Sequence, residues 1–459
     1  MTPITSPVDR TRRALLQRAA ALGMAGPALP WALNLSLLGD AAAAAEPADH
    51  KALVCVFLYG GNDHGQTLPP VDATHHAAYA AIRGVIATPR DELLPSALTP
   101  AQALPDGLQL ALAPELAPLL PLWGAGHLAV QLNVGPLIQP TTLAQYQARS
   151  VPLPPKLFSH NDQQSVWQSD LPEGATSGWG GRIGDLMLGA NGGSVFSCIS
   201  VTGNAVFLSG QTAVPYQIGS SGAVAIQGLT RTLDAASQRA LRTLITTPRT
   251  HLLADECVRL TQRSIDAEAR VTAALAAAPA VATPFGSDTL SAQLKMVARL
   301  IAARASLGTK RQVFLVSLGG FDLHDGLPDR HPPLLTQLGA ALRSFHDATV
   351  ELGVAGQVTA FTASDFGRTL SINGDGSDHG WGSHHLVLGA AVKGRAFYGQ
   401  APAVAVNGPD DVGQGRLLPT TSVDQFAATL ARWFGVADSD LPTVVPRIGN
   451  FATRDLGFL

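Results

Sequence analysis

Residues 53–63 read LVCVFLYGGND, an unbroken apolar run that leads directly into a glycine-rich loop ending in an acid. Two later stretches repeat this arrangement: residues 313–325 read VFLVSLGGFDLHD, and residues 358–368 read VTAFTASDFGR. Apolar runs of this length are typical of strands covered on both faces, as in the parallel sheet of an α/β protein. Ligands and catalytic groups gather at the carboxyl ends of such strands. The pattern therefore predicts an α/β fold with its acids assembled at one sheet edge.

Other parts of the chain predict further elements. We expect a helix at 113–123 and two short strands at 195–201 and 205–208, paired as a hairpin. Helical spacing dominates near 230–306, which we interpret as a helical insertion between two halves of the sheet. We therefore predict a single domain over residues 46–459.

The amino terminus has the features of an export signal. Arg12 and Arg13 precede a moderately apolar stretch at 19–38, and a run of small residues follows it. This order indicates a signal peptide, and the paired arginines indicate the Tat route. A membrane-anchoring helix is the alternative, but prolines interrupt the apolar stretch. We predict a Tat signal at 1–45, the Tat translocase as a partner during export, and a periplasmic or exported mature protein.

Composition excludes several classes of protein. The 459 residues are 46% hydrophobic and 14% charged, which is enough to bury a large core. The net charge of −3 provides no general attraction to nucleic acid, so we expect no nucleic-acid partner. We also expect no transmembrane span in the mature chain. Three cysteines are too few for a disulfide framework, and only a Cys198–Cys257 bridge stays open.

The acids at the three strand ends and a later histidine segment form a candidate metal site. Asp and Asn are common turn residues, which explains each loop taken alone. We favour a site because three such loops occur together with the segment DHGWGSHH at 378–385. Carboxylates and imidazoles suit zinc or manganese, and calcium where oxygen ligands dominate. The candidate ligands are Asp63, Asp322, His324, Asp365, Asp378, His379 and His384.

Adjacent residues in the histidine segment do not all face one site. His384 and His385 lead into an apolar run, so one of them should point inward, as a ligand or as a core histidine. Asp378 and His379 are also adjacent, and only a loop conformation would bring both to one site.

Two further residues are candidates for catalysis. Ser159 is a candidate nucleophile, although the segment SHND at 159–162 also fits the capped start of a helix. Arg368 is a candidate for binding an anionic group with two parallel hydrogen bonds. Its alternative role is a salt bridge to Asp365 or Asp375.

Four segments, together with the twin-arginine start, resemble an uncharacterised family of Tat-exported bacterial proteins, a domain of unknown function. They are GGNDHGQTLPP at 60–70, SHNDQQSVWQSD at 159–170, GGFDLHDG at 319–326 and SDFGRTLSINGDGSDHGWGSHHLVLGAAVKG at 364–394. That family is similar to the alkaline phosphatase and sulfatase superfamily. The resemblance implies an alkaline phosphatase-like fold, a mostly parallel mixed sheet sandwiched by helices.

The resemblance also implies roles for individual residues. Asp63 would match the first-strand metal ligand, and Asp322 with His324 would match a later ligand pair. Asp365 would match the acid of the superfamily's Asp-His dipeptide. The last histidine of the superfamily site would be His379 or else His384 of this chain.

Two functions follow as expectations. The first is a metal-dependent hydrolase of a small anionic ester, phosphate or sulfate, in which Ser159 or a water is the nucleophile and Arg368 steadies the anion. The second is a non-catalytic periplasmic protein that uses the same fold for binding or envelope assembly. Phe366 favours the second, because it follows Asp365 where a complete superfamily site has a histidine.

Overall fold

A mixed nine-stranded sheet is the main feature of the computed structural model, which describes residues 50–459. The export signal predicted at 1–45 lies outside these residues, so it stays a prediction, as does the division into a signal and one domain. The strands are β1 (Lys51–Tyr59), β2 (Leu128–Gly135), β3 (Cys198–Ser200), β4 (Tyr216–Gln217), β5 (Arg311–Gly319), β6 (Val358–Ser364), β7 (Arg368–Ile372), β8 (Ser377–His379), β9 (Ser383–Leu388), β10 (Phe397–Tyr398) and β11 (Thr421–Ser422).

Helices connect and follow the strands. The α-helices are α1 (His64–Thr67), α2 (Ala73–Arg83), α3 (Arg90–Leu93), α4 (Leu120–Gly124), α5 (Leu143–Ala148), α6 (His160–Ser169), α7 (Trp179–Met187), α8 (Gln227–Thr230), α9 (Ala235–Thr246), α10 (Leu252–Ala277), α11 (Thr289–Ala302), α12 (Arg304–Leu307), α13 (Leu327–Glu351), α14 (Val423–Phe434) and α15 (Leu441–Val444). The 3₁₀ helices are Gly84–Ile86, Leu94–Ser96, Pro105–Gly107, Pro114–Leu119, Val206–Leu208 and Ile448–Asn450. Within the described part of the chain, no helix is long and apolar enough to cross a membrane.

The strand order is β10-β2-β9-β6-β1-β5-β3-β4, with β11 also paired to β2. Only β9 runs antiparallel to its neighbours β2 and β6, and the other pairs in this sheet are parallel. Strands β7 and β8 form a separate antiparallel pair. The predicted α/β class with a mostly parallel mixed sheet is confirmed.

Strand β1 shows how the sheet is covered on both faces. Successive side chains of a strand point to opposite faces. Ala52, Val54, Val56 and Leu58 join one buried cluster with residues of α11 and α13. The side chains in between, Leu53, Cys55 and Phe57, join a second buried cluster with residues of α7 and α14. Burial on both faces explains why the first apolar run does not alternate with polar residues.

Three local predictions are corrected. Residues 206–208 form a 3₁₀ helix rather than a strand, because β3 pairs with β4 and β5 in parallel instead of forming a hairpin. The predicted helix at 113–123 is a 3₁₀ helix followed by the short α4, since prolines remove backbone donors within it. Cys198 is buried, Cys257 is exposed and both are free, so the bridge left open does not form.

The ends of β5, β1 and β6 lie side by side. Strand β1 pairs in parallel with both neighbours, and Tyr59 is opposite Gly319 while Leu58 is opposite Ser364. The three loops that follow therefore leave the same edge of the sheet. Gly60 has φ +115°, and a Cβ there would lie 2.4 Å from the backbone nitrogen of Asp322. The loops pack so closely that only glycine fits at this position.

We predict that Gly60→Ala destabilises the protein by about 1–3 kcal/mol, from its positive φ alone, and displaces the Asp322 loop. Urea unfolding measures the free-energy change. Gly356→Ala is the matched control, since no atom of the described residues lies within 4 Å of a Cβ built there. It should change the free energy of unfolding by less than about 0.5 kcal/mol. Equal unfolding midpoints for Gly60→Ala and the wild type would contradict the packing argument.

Candidate metal centre

Four side chains from three separate elements meet above the ends of β5, β1 and β6. We call His160, Asp322, His324 and His379 the His–Asp centre. His160 is the first residue of α6, Asp322 and His324 lie in the loop between β5 and α13, and His379 ends β8. The side chains of His160 and His379 are 27% and 25% exposed, and those of Asp322 and His324 are both 43% exposed. The centre is therefore open to solvent on the side of Asp322 and His324.

The inward-facing nitrogens of the three histidines are close together. The Nε2 atom of His379 lies 3.1 Å from Nε2 of His160 and 3.0 Å from Nε2 of His324. Asp322 Oδ1 lies 3.2 Å from Nε2 of His379 and 3.0 Å from Nε2 of His324. Asp322 Oδ2 lies 3.3 Å from Nε2 of His160. One ligand atom each from His160, Asp322 and His379 falls within 4.8 Å of the others.

Each imidazole uses its other nitrogen for a hydrogen bond to an oxygen outside the centre. His160 Nδ1 is 2.6 Å from Asp365, and His324 Nδ1 is 3.1 Å from Asp378. His379 Nδ1 donates to the backbone carbonyl of Phe158 at 2.8 Å. Carbonyl and carboxylate oxygens only accept, so each Nδ1 carries a hydrogen. In the neutral rings, three Nε2 lone pairs therefore face one another.

Facing lone pairs require a cation between them, either a proton or a metal ion. The hydrogen bond to Asp365 raises the pKa of His160, whereas burial lowers the pKa of His379. Without metal, His160 is thus the preferred holder of a shared proton. The donor set also fits a metal ion, because metal-ligating histidines commonly donate their second N–H to a carboxylate or a backbone carbonyl.

Asp365 lies behind His160 rather than among the inward-facing atoms. Its Oδ2 accepts hydrogen bonds from Gln164 Nε2 at 2.8 Å and from the Gly60 N–H at 3.2 Å, besides that of His160. Phe366 places its ring centroid 4.8 Å from those of both His160 and His379. Phe366 thus packs against two imidazoles of the His–Asp centre.

Arg368 is buried and engaged within the protein. Its guanidinium donates to Asp322 Oδ1 at 2.6 Å, to the carbonyl of Gly60 at 3.1 Å and to the carbonyl of Ser377. The carboxylate partner is Asp322, not Asp365 or Asp375. Burial alone would raise the pKa of Asp322, but Arg368 outweighs it and lowers that pKa. Arg368 therefore holds Asp322 in place and in its charged form.

Asp63 lies outside the His–Asp centre. It pairs with Arg83 at 2.5 Å, accepts from Ser377 Oγ at 2.9 Å and caps α1 through the N–H of Gln66 at 3.2 Å. Burial would raise the pKa of Asp63, but Arg83 and neighbouring groups lower it to about 2. The structure thus places Asp63 in a buried ion pair below the centre.

His384 and Ser159 also make other contacts. His384 Nδ1 accepts the backbone N–H of Asn133 at 3.1 Å, and its ring centroid lies 5.0 Å from that of His64. Ser159 is at the N-cap position of α6, but its side chain caps no helix N–H and donates to Asp162 at 2.9 Å. Of the predicted ligands, the structure brings together Asp322, His324 and His379, with Asp365 and Asp378 behind them.

His160 belongs to the His–Asp centre but is not among the ligands that the sequence predicts. Its segment was interpreted as a helix start, and no local pattern indicates that α6 places this ring above β1. One signal was available: His160 and Gln164 are four residues apart, so they share a helix face, and both contact Asp365. The contact of His379 with the Phe158 carbonyl is not predictable from the sequence, because every residue has a backbone carbonyl.

The family of the chain follows from a comparison with family models. A model described as "Protein of unknown function (DUF1501)" matches residues 50–446. The chain belongs to this family. The expected membership of an uncharacterised family is thereby confirmed for DUF1501. No curated protein matches the chain.

Solved structures similar to this DUF1501 chain share little sequence with it. One is Ps i-CgsB in complex with k-i-k-neocarrahexaose, with 9% identity and a TM-score of 0.34, covering 88% of this chain and 77% of that one. Another is the PsFucS1 sulfatase from Pseudoalteromonas sp., with 10% identity and a TM-score of 0.31, covering 89% and 72% respectively.

We predict that Arg83→Met lowers the free energy of unfolding by about 3–5 kcal/mol at pH 7, because it leaves the buried Asp63 carboxylate unpaired. The depressed pKa of Asp63 contributes about 2 kcal/mol in the wild type, present above pH ~4 and lost as pH falls towards about 2. Urea unfolding across this pH range measures both effects.

The variant should lose this acid-side dependence, since burial without Arg83 raises the pKa of Asp63. Arg343→Met is the control, because its partner Asp347 is an exposed neighbour one helical turn away. An identical pH profile for Arg83→Met and the wild type would show that the pair does not stabilise the charged form of Asp63.

Proposed function

We propose that this chain is an exported, metal-dependent hydrolase that acts on phosphate or sulfate esters at the His–Asp centre. The proposal rests on the three Nε2 atoms of the centre. That of His379 lies 3.0–3.1 Å from those of His160 and His324, and each of the three rings donates its Nδ1–H to an acceptor outside the centre. Export rests on the signal predicted at 1–45.

The donor set favours zinc as the metal ion. Imidazoles suit zinc, whereas calcium takes oxygen ligands, and manganese is intermediate because it accepts carboxylates readily. We assign His160, Asp322 and His379 as the residues that hold the ion, since one ligand atom from each lies within 4.8 Å of the others and these two imidazoles are less exposed than that of His324. Three protein ligands with one open position is the arrangement of catalytic zinc sites.

A zinc ion bound there would supply a Lewis acid and lower the pKa of a bound water. The surrounding residues would orient the ligands and transfer the proton. Arg368 holds Asp322 charged and oriented, and Phe366 packs against His160 and His379 on the buried side. His324 lies on the exposed side with Nδ1–H directed to Asp378, so its Nε2 is placed to accept and return a proton.

We predict that His160→Ala and Asp322→Asn each abolish stoichiometric metal binding. The purified wild type should hold about one zinc ion per chain, because the inward lone pairs and the carboxylate form one donor set. Elemental analysis and zinc titration, with the released protons measured by a pH indicator, would test this. His251→Ala is the matched control, since His251 is exposed at the start of α10 and caps no backbone group.

A wild-type protein that contains no metal after purification, and binds none when zinc or manganese is added, would overturn the proposal. Full metal content in both variants would show that the ion binds elsewhere. Hydrolysis is then measured with aryl phosphate and aryl sulfate esters on the loaded protein. Ser159→Ala belongs in that series: retained turnover assigns the nucleophile to water, and lost turnover with unchanged metal content assigns it to Ser159.

We predict that His324→Ala keeps the metal ion but lowers ester hydrolysis by about 10²–10⁴-fold, the usual contribution of a general acid or base. Metal content and the pH–rate profile of the variant provide the measurement. Asp378→Asn should act in the same direction with a smaller effect, because it replaces the charged acceptor that orients the His324 ring with a weaker, neutral amide oxygen. Loss of metal in His324→Ala would instead make His324 a fourth ligand, as the sequence predicts.

The second candidate function is a non-catalytic exported protein with a metal ion in the same place. Phe366 favours it, because an apolar ring occupies the position of a superfamily ligand. Metal binding without turnover of any phosphate or sulfate ester would support this function, with binding or envelope assembly as its role.

A further inference from the structure

The anion-binding role predicted for Arg368 requires a free guanidinium, and that residue does not have one. Its Nη1 donates to Asp322 and to the carbonyl of Gly60, and its Nη2 donates to the carbonyl of Ser377. It is 1% exposed. A substrate anion near the His–Asp centre would therefore need a different cation.

Arg416 contacts the backbone of a His–Asp centre residue and has no acidic partner within residues 50–459. Its Nε donates to the backbone carbonyl of His379 at 2.7 Å, and its Nη1 donates to the carbonyl of Gly413 at 3.2 Å. Among residues 50–459, no carboxylate forms an ion pair with this guanidinium, and the side chain is half-buried. Its charge is thus not neutralised within the described protein.

The Arg416 guanidinium is held in a defined position. Its carbon lies 4.9 Å from the ring centroid of Phe158, whose carbonyl accepts the Nδ1–H of His379. Phe158 itself has φ +72°, a costly conformation for an aromatic residue that the surrounding contacts must hold in place. The same short segment therefore orients a ligand ring through its backbone and a cation through its side chain.

The loop that carries Arg416 is tied down by one carboxylate. Asp411 accepts backbone N–H groups from Gly413 at 2.6 Å, Gly415 at 2.8 Å and Asn407 at 2.7 Å. The N–H of Arg416 donates to the carbonyl of Gly413 at 3.1 Å. A preorganised loop reduces the entropy lost when the arginine binds a ligand.

We infer that Arg416 binds the oxyanion of the ester substrate beside the His–Asp centre, and so selects an anionic over a neutral ester. This inference rests on the proposed function and deepens it by naming the residue that recognises the substrate. Arginine suits the task because its planar N–H groups match the geometry of phosphate and sulfate oxygens. Two of its nitrogens are anchored to carbonyls, and Nη2 has no hydrogen-bond partner among the described residues.

Isothermal titration of the full-length, zinc-loaded protein with inorganic phosphate, and separately with inorganic sulfate, tests this inference. Arg416→Gln should weaken binding of the preferred anion by about 10- to 100-fold, as expected for a charge-assisted hydrogen bond. Arg416→Lys should restore part of the affinity, because it returns the charge without the planar N–H groups. The stronger of the two wild-type titrations identifies the substrate class.

Arg330→Gln is the matched control, since it removes the same charge from an exposed pair with Asp325, close to the Asp322 loop. It should leave anion affinity within about 2-fold of the wild type, as expected for a surface ion pair. Zinc content and thermal unfolding of each variant show that the centre and the fold are intact. Kinetics add a second readout: Arg416→Gln should raise KM for anionic esters and leave neutral acyl esters unaffected.

Equal phosphate and sulfate affinities in Arg416→Gln and the wild type would overturn the role of Arg416, whatever the metal content. Loss of affinity in Arg330→Gln to the same degree would also overturn it, because general attraction would then explain the binding. A wild-type protein that binds no metal would instead contradict the proposed function. The two failures are therefore distinguishable.

Discussion

The candidate centre depends on the register of three neighbouring parallel strands. Pairing of β1 with β5 and β6 brings Tyr59 opposite Gly319 and Leu58 opposite Ser364, so three glycine- or serine-containing loops leave one edge at the same height. Gly60 is the contact point: its N–H donates to Asp365, and its carbonyl accepts from Arg368. A shift of β1 by one residue relative to β6 would move Gly60 away from both Asp365 and Arg368.

Charge balance explains the layers around this edge. Below it, Asp63 and Arg83 form a buried pair that neutralises itself. Above it, Asp322 forms an ion pair with Arg368. If both side chains were buried, this pair would be neutral, and the Asp322 carboxylate would attract a second cation only weakly. Asp322 is partly exposed, however, and three imidazoles bring lone pairs but no charge. The upper layer is thus the place where an additional cation lowers the electrostatic energy.

The sequence was sufficient for features set by local pattern and insufficient for those set by distant pairing. The strands at 53–59, 313–318 and 358–362 were predictable because burial on both faces leaves long apolar runs. The hairpin at 195–208 was wrong because β3 pairs in parallel with β4 and with β5, which lies more than a hundred residues later. Asp63 follows a strand like the other two acids, so the sequence predicts it in the centre. Its ion pair with Arg83 depends on tertiary packing that the sequence does not show. His160 was missed for the same reason.

Phe366, at a position where the sequence resemblance leads one to expect a histidine, does not by itself make the site degenerate. A metal site needs imidazole nitrogens at given points in space, and the chain can supply them from any element that reaches those points. Here His160 approaches from the start of α6, packs its ring on Phe366 and places Nε2 3.1 Å from that of His379. Asp365, the acid that precedes Phe366, orients that ring through Nδ1. The phenylalanine is therefore a platform for an imidazole that comes from elsewhere in the chain, and its presence is compatible with a complete donor set.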